Sequence, residues 1–263
     1  MSAPFDISFV FEYFVKLLPF VKTSLLIVAS SIAVGLAVGF LVALPRLYNV
    51  PVLKRVSQLY ASFFRGTPIL IQLFLIYYAL PELLKMISID VSKTPVLIFV
   101  ILAYGLHNGA YISEVIRAAV KTVDKTQVEA AHAVGMTGYQ AFTRIVFPQA
   151  LAIAIPVLAN IIIATLKETS LAFTLGVMEL TGKTQTLYTL SKHMIESYIA
   201  LALVYFILCF ALEKLFNYSE RKLLKHEAPV SKEARVPLGR KWLDRKLKPA
   251  DLALGKGGLA NDA

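Results

Sequence analysis

The sequence has 263 residues, of which 57% are hydrophobic and 17% charged, with a mean hydropathy of +0.66. Soluble domains run nearer ~45–50% apolar and ~25% charged, so this balance excludes an ordinary soluble fold and points to an integral membrane protein. One cysteine, Cys209, excludes an internal disulfide framework. The net charge of +10 does not make a nucleic-acid surface, because twelve of the 27 Lys/Arg lie between Lys214 and Lys256, beyond the last apolar run.

The chain opens on an aromatic-rich segment, residues 5–20, that carries acidic Asp6 and Glu12 and no basic residue ahead of its apolar run. That pattern is unlike a cleavable signal peptide, and the segment is expected along the outer membrane interface. Five stretches without Asp, Glu, Lys or Arg follow, at residues 23–45, 66–81, 94–113, 145–166 and 197–212. A helix needs ~20 residues to cross a ~30 Å hydrocarbon core. The second and fifth stretches, at 16 residues each, therefore borrow their flanks, residues 57–65 for the second. The fold class expected is all-α: a bundle of about five transmembrane helices. In the first span Gly35 and Gly39 form a G-x3-G that lets another helix approach closely.

Loop charge sets the orientation. With the N-terminus outside, the inner segments hold 19 Lys/Arg, among them Arg46, Lys54, Arg55, Arg117, Lys121, Lys125 and Arg144, and the outer ones hold 6. The bias predicts N-terminus out and C-terminus in, in a bacterial cytoplasmic membrane. The domain plan is an external or interfacial segment over 1–22, a transmembrane domain over 23–218 and a basic, mostly flexible cytoplasmic tail over 219–263.

The inner loop, residues 117–148, is unusually well punctuated. Thr126 and Glu129 fit a capping box for a helix over 127–134, and Gly135 supplies the left-handed residue that ends it. Thr137 and Gln140 repeat the device for a second helix over 138–147, expected to stop at Pro148, which can itself open the next span at its first turn. Other motifs carry no chemistry. Gly182-Lys183-Thr184 resembles the end of a phosphate-binding loop, but the preceding Gly176 is one residue too far away. His107, His132, His193 and His226 are too scattered for a metal cluster, and no nucleophile stands with a base. Neither a catalytic nor a metal-binding residue is expected.

Glu129-Ala130-Ala131-x3-Gly135-x9-Ile145-x-x-Pro148 resembles the EAA loop of the membrane subunits of binding-protein-dependent ABC importers. One departure is Phe147, where the family usually has leucine. Phe64-Arg65-Gly66-Thr67-Pro68 with Gln72-Leu73-Phe74 resembles the second-span signature of the polar amino acid subgroup. So do Ala110-Tyr111 with Glu114 and Arg117, and Leu166-Lys167-Glu168-Thr169-Ser170-Leu171. The resemblance covers roughly residues 23–218.

It implies a permease subunit that forms the translocation path of an ATP-driven importer of polar amino acids. Its implied partners are a cytoplasmic ABC ATPase dimer, a second permease subunit (identical or homologous), an extracytoplasmic solute-binding protein and the lipid bilayer, with no nucleic acid. No cofactor is expected on this chain; ATP and Mg are used by the ATPase. The EAA helix would couple to that ATPase through Glu129, Ala130, Ala131 and Gly135. Glu129 would cap its own helix or pair with a basic residue of the ATPase.

For the substrate path the candidates are Glu168, Thr169, Ser170, Asn108 and Gln72. Lys167 and Glu168 interrupt the fourth apolar segment, and charges at such depth usually face a partner or a water-filled cavity. Glu168 either meets a substrate cation or pairs with a basic residue of another helix. Glu114 is expected to pair with Arg117 at i,i+3. In the tail, Leu243, Leu247 and Trp242 amid basic residues suit an anionic lipid surface or, more simply, a solvated tail. Within transport, an opine or a sulfur amino acid is the alternative cargo. A non-ATP-driven channel or secondary carrier lacks the repeated halves usual in carriers, and a membrane enzyme lacks a paired nucleophile and base.

Overall fold

The computed structural model describes residues 4–223, and among them every regular element is helical. Most of the basic tail, with the segment around Trp242, Leu243 and Leu247, lies outside the described residues. Four helical runs are long and apolar enough to cross a membrane, and a fifth if one bent pair is counted as a single span.

The first run, Ile7–Leu47, joins α1 (Ile7–Leu17) to α2 (Val21–Leu47) through one tight turn at Leu18–Phe20. The N-terminal segment is thus continuous with the first span. Asp6 starts it by accepting from the Ser8 N–H, and Val10, Tyr13 and Leu17 bury against Leu180, Leu187, Ala200, Leu201 and Val204.

The second expected span is broken. Helix α3 (Pro51–Gly66) meets the run of α4 (Ile69–Phe74) and α5 (Leu80–Lys85) at 112°, so residues 57–65 do not extend that span. The cause is Pro68: it disfavours helical geometry in the residue before it, and Thr67 is extended at φ −116°, ψ 146°. A π-turn at Leu75–Ala79 links α4 to α5.

Helix α6 (Val96–Thr122) is the most enclosed of the spans. Its Gly105 and Gly109 face Gly35 and Gly39 of α2. A Cβ at Gly105 would come within 2.5 Å of Val34 Cγ1, and one at Gly39 within 2.7 Å of Ile112 Cγ2. The expected G-x3-G contact therefore exists, and its partner is a second G-x3-G.

Beyond α6, helix α7 (Lys125–Ala133) differs at its start from the expected capping box. Asp124, in extended conformation, is the cap, accepting from the Thr126 N–H at 2.9 Å and from its hydroxyl. Asp124 is two residues nearer the end of α6 and reaches the first free N–H before Thr126 can, leaving Glu129 out of the cap. Gly135 ends α7 at φ +83°, as expected.

The second box forms: the Gln140 N–H donates to Thr137 Oγ1 and the Thr137 N–H to Gln140 Oε1. Pro148 stands in the first turn of the next helix, as expected, but the helical run begun by α8 (Gly138–Ala141) does not stop before it. A π-turn at Phe142–Val146 absorbs the missing proline N–H and its ring. The run then continues as α9 (Phe147–Glu168) and a tight turn at Thr169–Leu175, 38 residues in all over Gly138–Leu175. Helices α10 (Leu180–Ser191) and α11 (Met194–Leu223) complete the fold.

Candidate functional site

Two regions collect the sequence-derived candidates. The first is the loop carrying α7. Val128 packs beside Ala119, Val123, Val146, Ala150 and Ala154, Ala131 is buried, and the Gln149 amide donates to Gln127 Oε1 at 2.7 Å. These contacts seat α7 on the ends of α6 and α9. What remains outward is Glu129, Ala130, Val134 and Gly135. Val134 and Tyr139 are 75% and 78% exposed, with Phe142 and Phe147 also outward. The loop thus presents exposed large apolar residues together with the Glu129 carboxylate, on a helix held by its own cap. Sequence reasoning found the helix but missed Val134 and Tyr139, whose signal was a large apolar residue on either side of Gly135.

The hydrogen bonds that the Asp124 carboxylate accepts from Thr126, from the hydroxyl first and then from the N–H, hold this carboxyl below the usual aspartate range.

The second region runs along α6. Tyr104, His107, Tyr111 and Glu114 recur every three or four residues, which places them on one face. The Tyr104 hydroxyl donates to the Glu168 carbonyl at 2.5 Å. His107 Nδ1 lies 2.9 Å from Gln72 Oε1. The Gln72 amide in turn donates to the carbonyls of Phe64 and Thr67 at 2.8 and 2.9 Å and to the Thr67 hydroxyl at 2.8 Å.

Glu114 pairs with Arg117 at 2.8 Å, as expected, and gathers two further guanidiniums: Arg46 at 2.6 Å and Arg65 at 3.3 Å. Both were missed. Their signal was a lone carboxylate near the end of an apolar span, which calls for more compensation than one neighbour.

The five path candidates divide. Gln72 fastens the break between α3 and α4. Asn108 is buried and accepts from the Thr165 hydroxyl at 3.0 Å. Thr169 is buried and donates to the Leu166 carbonyl, with Tyr205 Oη 3.5 Å away. These three are engaged within the chain, although the buried Asn108 amide nitrogen has no hydrogen-bond partner among the described residues. The Ser170 hydroxyl donates to the Lys167 carbonyl but lies on the exposed side. Among the described residues the Glu168 carboxylate makes neither an ion pair nor a hydrogen bond, so no partner helix among them neutralises it.

A missed carboxylate, Glu179, is wholly buried and accepts from the N–H groups of Thr181 and Gly182, each at 2.9 Å. It fills the α10 N-terminus beside Gly182-Lys183-Thr184 with the protein's own anion, so that segment has no free amide cradle for a phosphate. Among the described residues no group of three or more His, Cys, Asp or Glu could hold a metal.

Comparison with known proteins agrees with this geometry. Residues 35–225 match the family model described as binding-protein-dependent transport system inner membrane component. The chain is 42% identical over 230 residues to an L-cystine transport system permease protein of Bacillus subtilis, covering 88% of this chain and 96% of that protein. It is 34% identical over 224 residues to a nopaline transport system permease protein of Agrobacterium fabrum, covering 84% and 93%. The crystal structure of an amino acid ABC transporter with histidines superposes at a TM-score of 0.75 with 28% identity, over 84% of this chain and 100% of that one.

Proposed function

The chain belongs to the family of binding-protein-dependent transport system inner membrane components, and from that premise we propose that it carries amino acids across the bacterial cytoplasmic membrane as one half of a paired permease. A cytoplasmic ATPase dimer docks on α7 and supplies the energy, using ATP and Mg that this chain does not bind. An external solute-binding protein delivers the cargo, and the N-terminus lies outside and the C-terminus inside. The observation that carries the coupling reading is the exposed stretch from α7 through the turn after it to α8, in which Glu129, Ala130, Val134 and Tyr139 are all exposed.

Polar amino acids are the cargo class that the matched signatures support, and Glu168 suits a substrate ammonium or guanidinium. A second reading, a sulfur amino acid, is favoured by the similarity to an L-cystine permease at 42% identity. An opine is the corresponding reading from the nopaline permease.

The test is uptake into proteoliposomes that hold this chain, its ATPase and its binding protein, with a panel of radiolabelled L-amino acids that includes L-cystine. ATP-dependent accumulation of at least one panel member is expected. Assembly of the complex without accumulation of any of them overturns the cargo assignment.

A further inference from the structure

The α6 face that begins at Tyr104 ends ten residues on at Glu114, ~15 Å along the axis at ~1.5 Å per residue. Near one end lies Glu168, whose carbonyl accepts from Tyr104 and whose carboxylate makes no ion pair or hydrogen bond among the described residues, with Lys167 next to it in sequence. At the other, Arg46, Arg65 and Arg117 share the single carboxylate of Glu114, so two positive charges are left over.

The three arginines are not equivalent. The side chain of Arg46 is 11% exposed and that of Arg117 29%, with contacts of 2.6 and 2.8 Å to Glu114. Arg65 is held at 3.3 Å and is 45% exposed. Its guanidinium lies 5.8 Å from the Tyr111 ring centre, and no hydrogen bond engages its donors among the described residues.

The backbone beside it is fixed. Arg65 precedes the Gly66-Thr67-Pro68 break, which Gln72 ties to the Phe64 and Thr67 carbonyls. A guanidinium braced on an aromatic face, with its fork of N–H groups unspent and its charge uncompensated, has the chemistry that takes a planar oxyanion in two parallel hydrogen bonds.

We propose that Arg65, braced by Tyr111 and only loosely held by Glu114, is a second station on the path, which receives the carboxylate of the transported amino acid after its cationic end has left Glu168. The inference rests on the amino acid cargo proposed above and adds the residue that distinguishes an amino acid from its amine. Glu114 is a positioning residue: it keeps Arg46 and Arg117 in place and prevents the surplus charge from driving Arg65 away. A phospholipid phosphate shares the oxyanion chemistry and is the competing occupant.

The experiment uses the permease–ATPase complex in nanodiscs without binding protein, so that selection by the binding protein does not enter. The probes are the best-imported member of the uptake panel and its decarboxylated amine, each measured by equilibrium binding. Wild type is expected to prefer the amino acid by ~10-fold or more, in keeping with a charge-assisted bidentate contact. Arg65→Gln should bind the two probes equally, while Arg65→Lys keeps part of the preference because charge remains and the fork is lost.

Tyr111→Leu, which leaves the charge but removes the brace, should weaken the preference. It also serves as the second variant if Arg65→Gln fails to assemble. Undiminished preference in either assembled variant overturns the proposal. So does loss of co-purified anionic phospholipid from Arg65→Gln with its preference intact, which assigns the site to lipid. Failure of the wild-type complex to import any panel member falls instead on the cargo assignment, whereas normal uptake with unchanged preference falls on Arg65 alone.

Discussion

Gln72 and His107, 35 residues apart in sequence, meet at 2.9 Å, and through that contact the break between α3 and α4 is fastened to the centre of α6. Gln72 uses both ends of its amide: the oxygen faces the imidazole, and the nitrogen holds the main chain on both sides of Gly66. Gln72→Leu removes the donor from these carbonyls, and an orphaned buried acceptor costs ~1–3 kcal/mol. The expected outcome is a lower unfolding temperature of the purified protein with membrane insertion intact. An unchanged unfolding temperature shows that the break is held by Pro68 alone.

Gly135 sits at φ +83°, a conformation that a β-branched residue adopts only under strain. A Cβ there would meet nothing within 4 Å, so the penalty of Gly135→Val is conformational and local to the end of α7. The variant is expected to insert normally and to lose ATPase retention in a pull-down, together with uptake. Full retention of the ATPase with wild-type uptake contradicts the docking role of α7.

Asp124 gives a pH prediction whose sign follows from its hydrogen bonds. They depress its folded value, so its contribution to α7 is complete above the ordinary aspartate value and is lost only as pH falls through the lower folded one. Between pH 5 and 8, well above ~3.9, the mobility of a spin label on an Ala130→Cys variant should be constant, rising only in stronger acid. Asp124→Asn, which keeps an acceptor that does not titrate, should flatten that acid limb. A mobility change centred near neutrality assigns the titration to a group other than Asp124.

Glu168→Gln keeps the size and removes the charge of a carboxylate that makes no ion pair among the described residues. Uptake normalised to inserted protein should fall, while ATP hydrolysis stimulated by loaded binding protein persists, because α7 is untouched. Equal normalised uptake across substrate concentrations removes Glu168 from the path and leaves Ser170 as the exposed candidate.

Orientation is tested by labelling Ser92→Cys and Lys232→Cys separately in a Cys209→Ala background. An impermeant reagent should reach the first from outside and the second only after permeabilisation. The reverse pattern refutes the charge-based orientation and the docking of an ATPase on α7.

The spans were legible in the sequence because an uncharged run of the right length has few alternatives. Pro68 was equally legible but was passed over: hydropathy averages across a break that a single proline imposes. At Pro148 the reverse held, since a proline that should end a helix was accommodated by a π-turn, which leaves no local sequence mark. The α7 helix and Gly135 were readable from cap chemistry, although Asp124 took the place assigned to Thr126. The arginines around Glu114 were not readable, because Arg46 and Arg65 lie 68 and 49 positions away and only the packing of α2 and α3 on α6 brings them there.

The π-turn at Phe142–Val146 has a mechanical consequence. Because it carries the helix past Pro148, Gly138 and Glu168 belong to one continuous helical run, with Pro156 as a second proline inside it. Over these thirty residues, ~45 Å at ~1.5 Å each, the loop that carries α7 is joined to the depth of Glu168 by unbroken helix. A displacement imposed near α7 therefore has a covalent and hydrogen-bonded route to that depth, and the π-turn and Pro156 are the two places along it where the helix can bend.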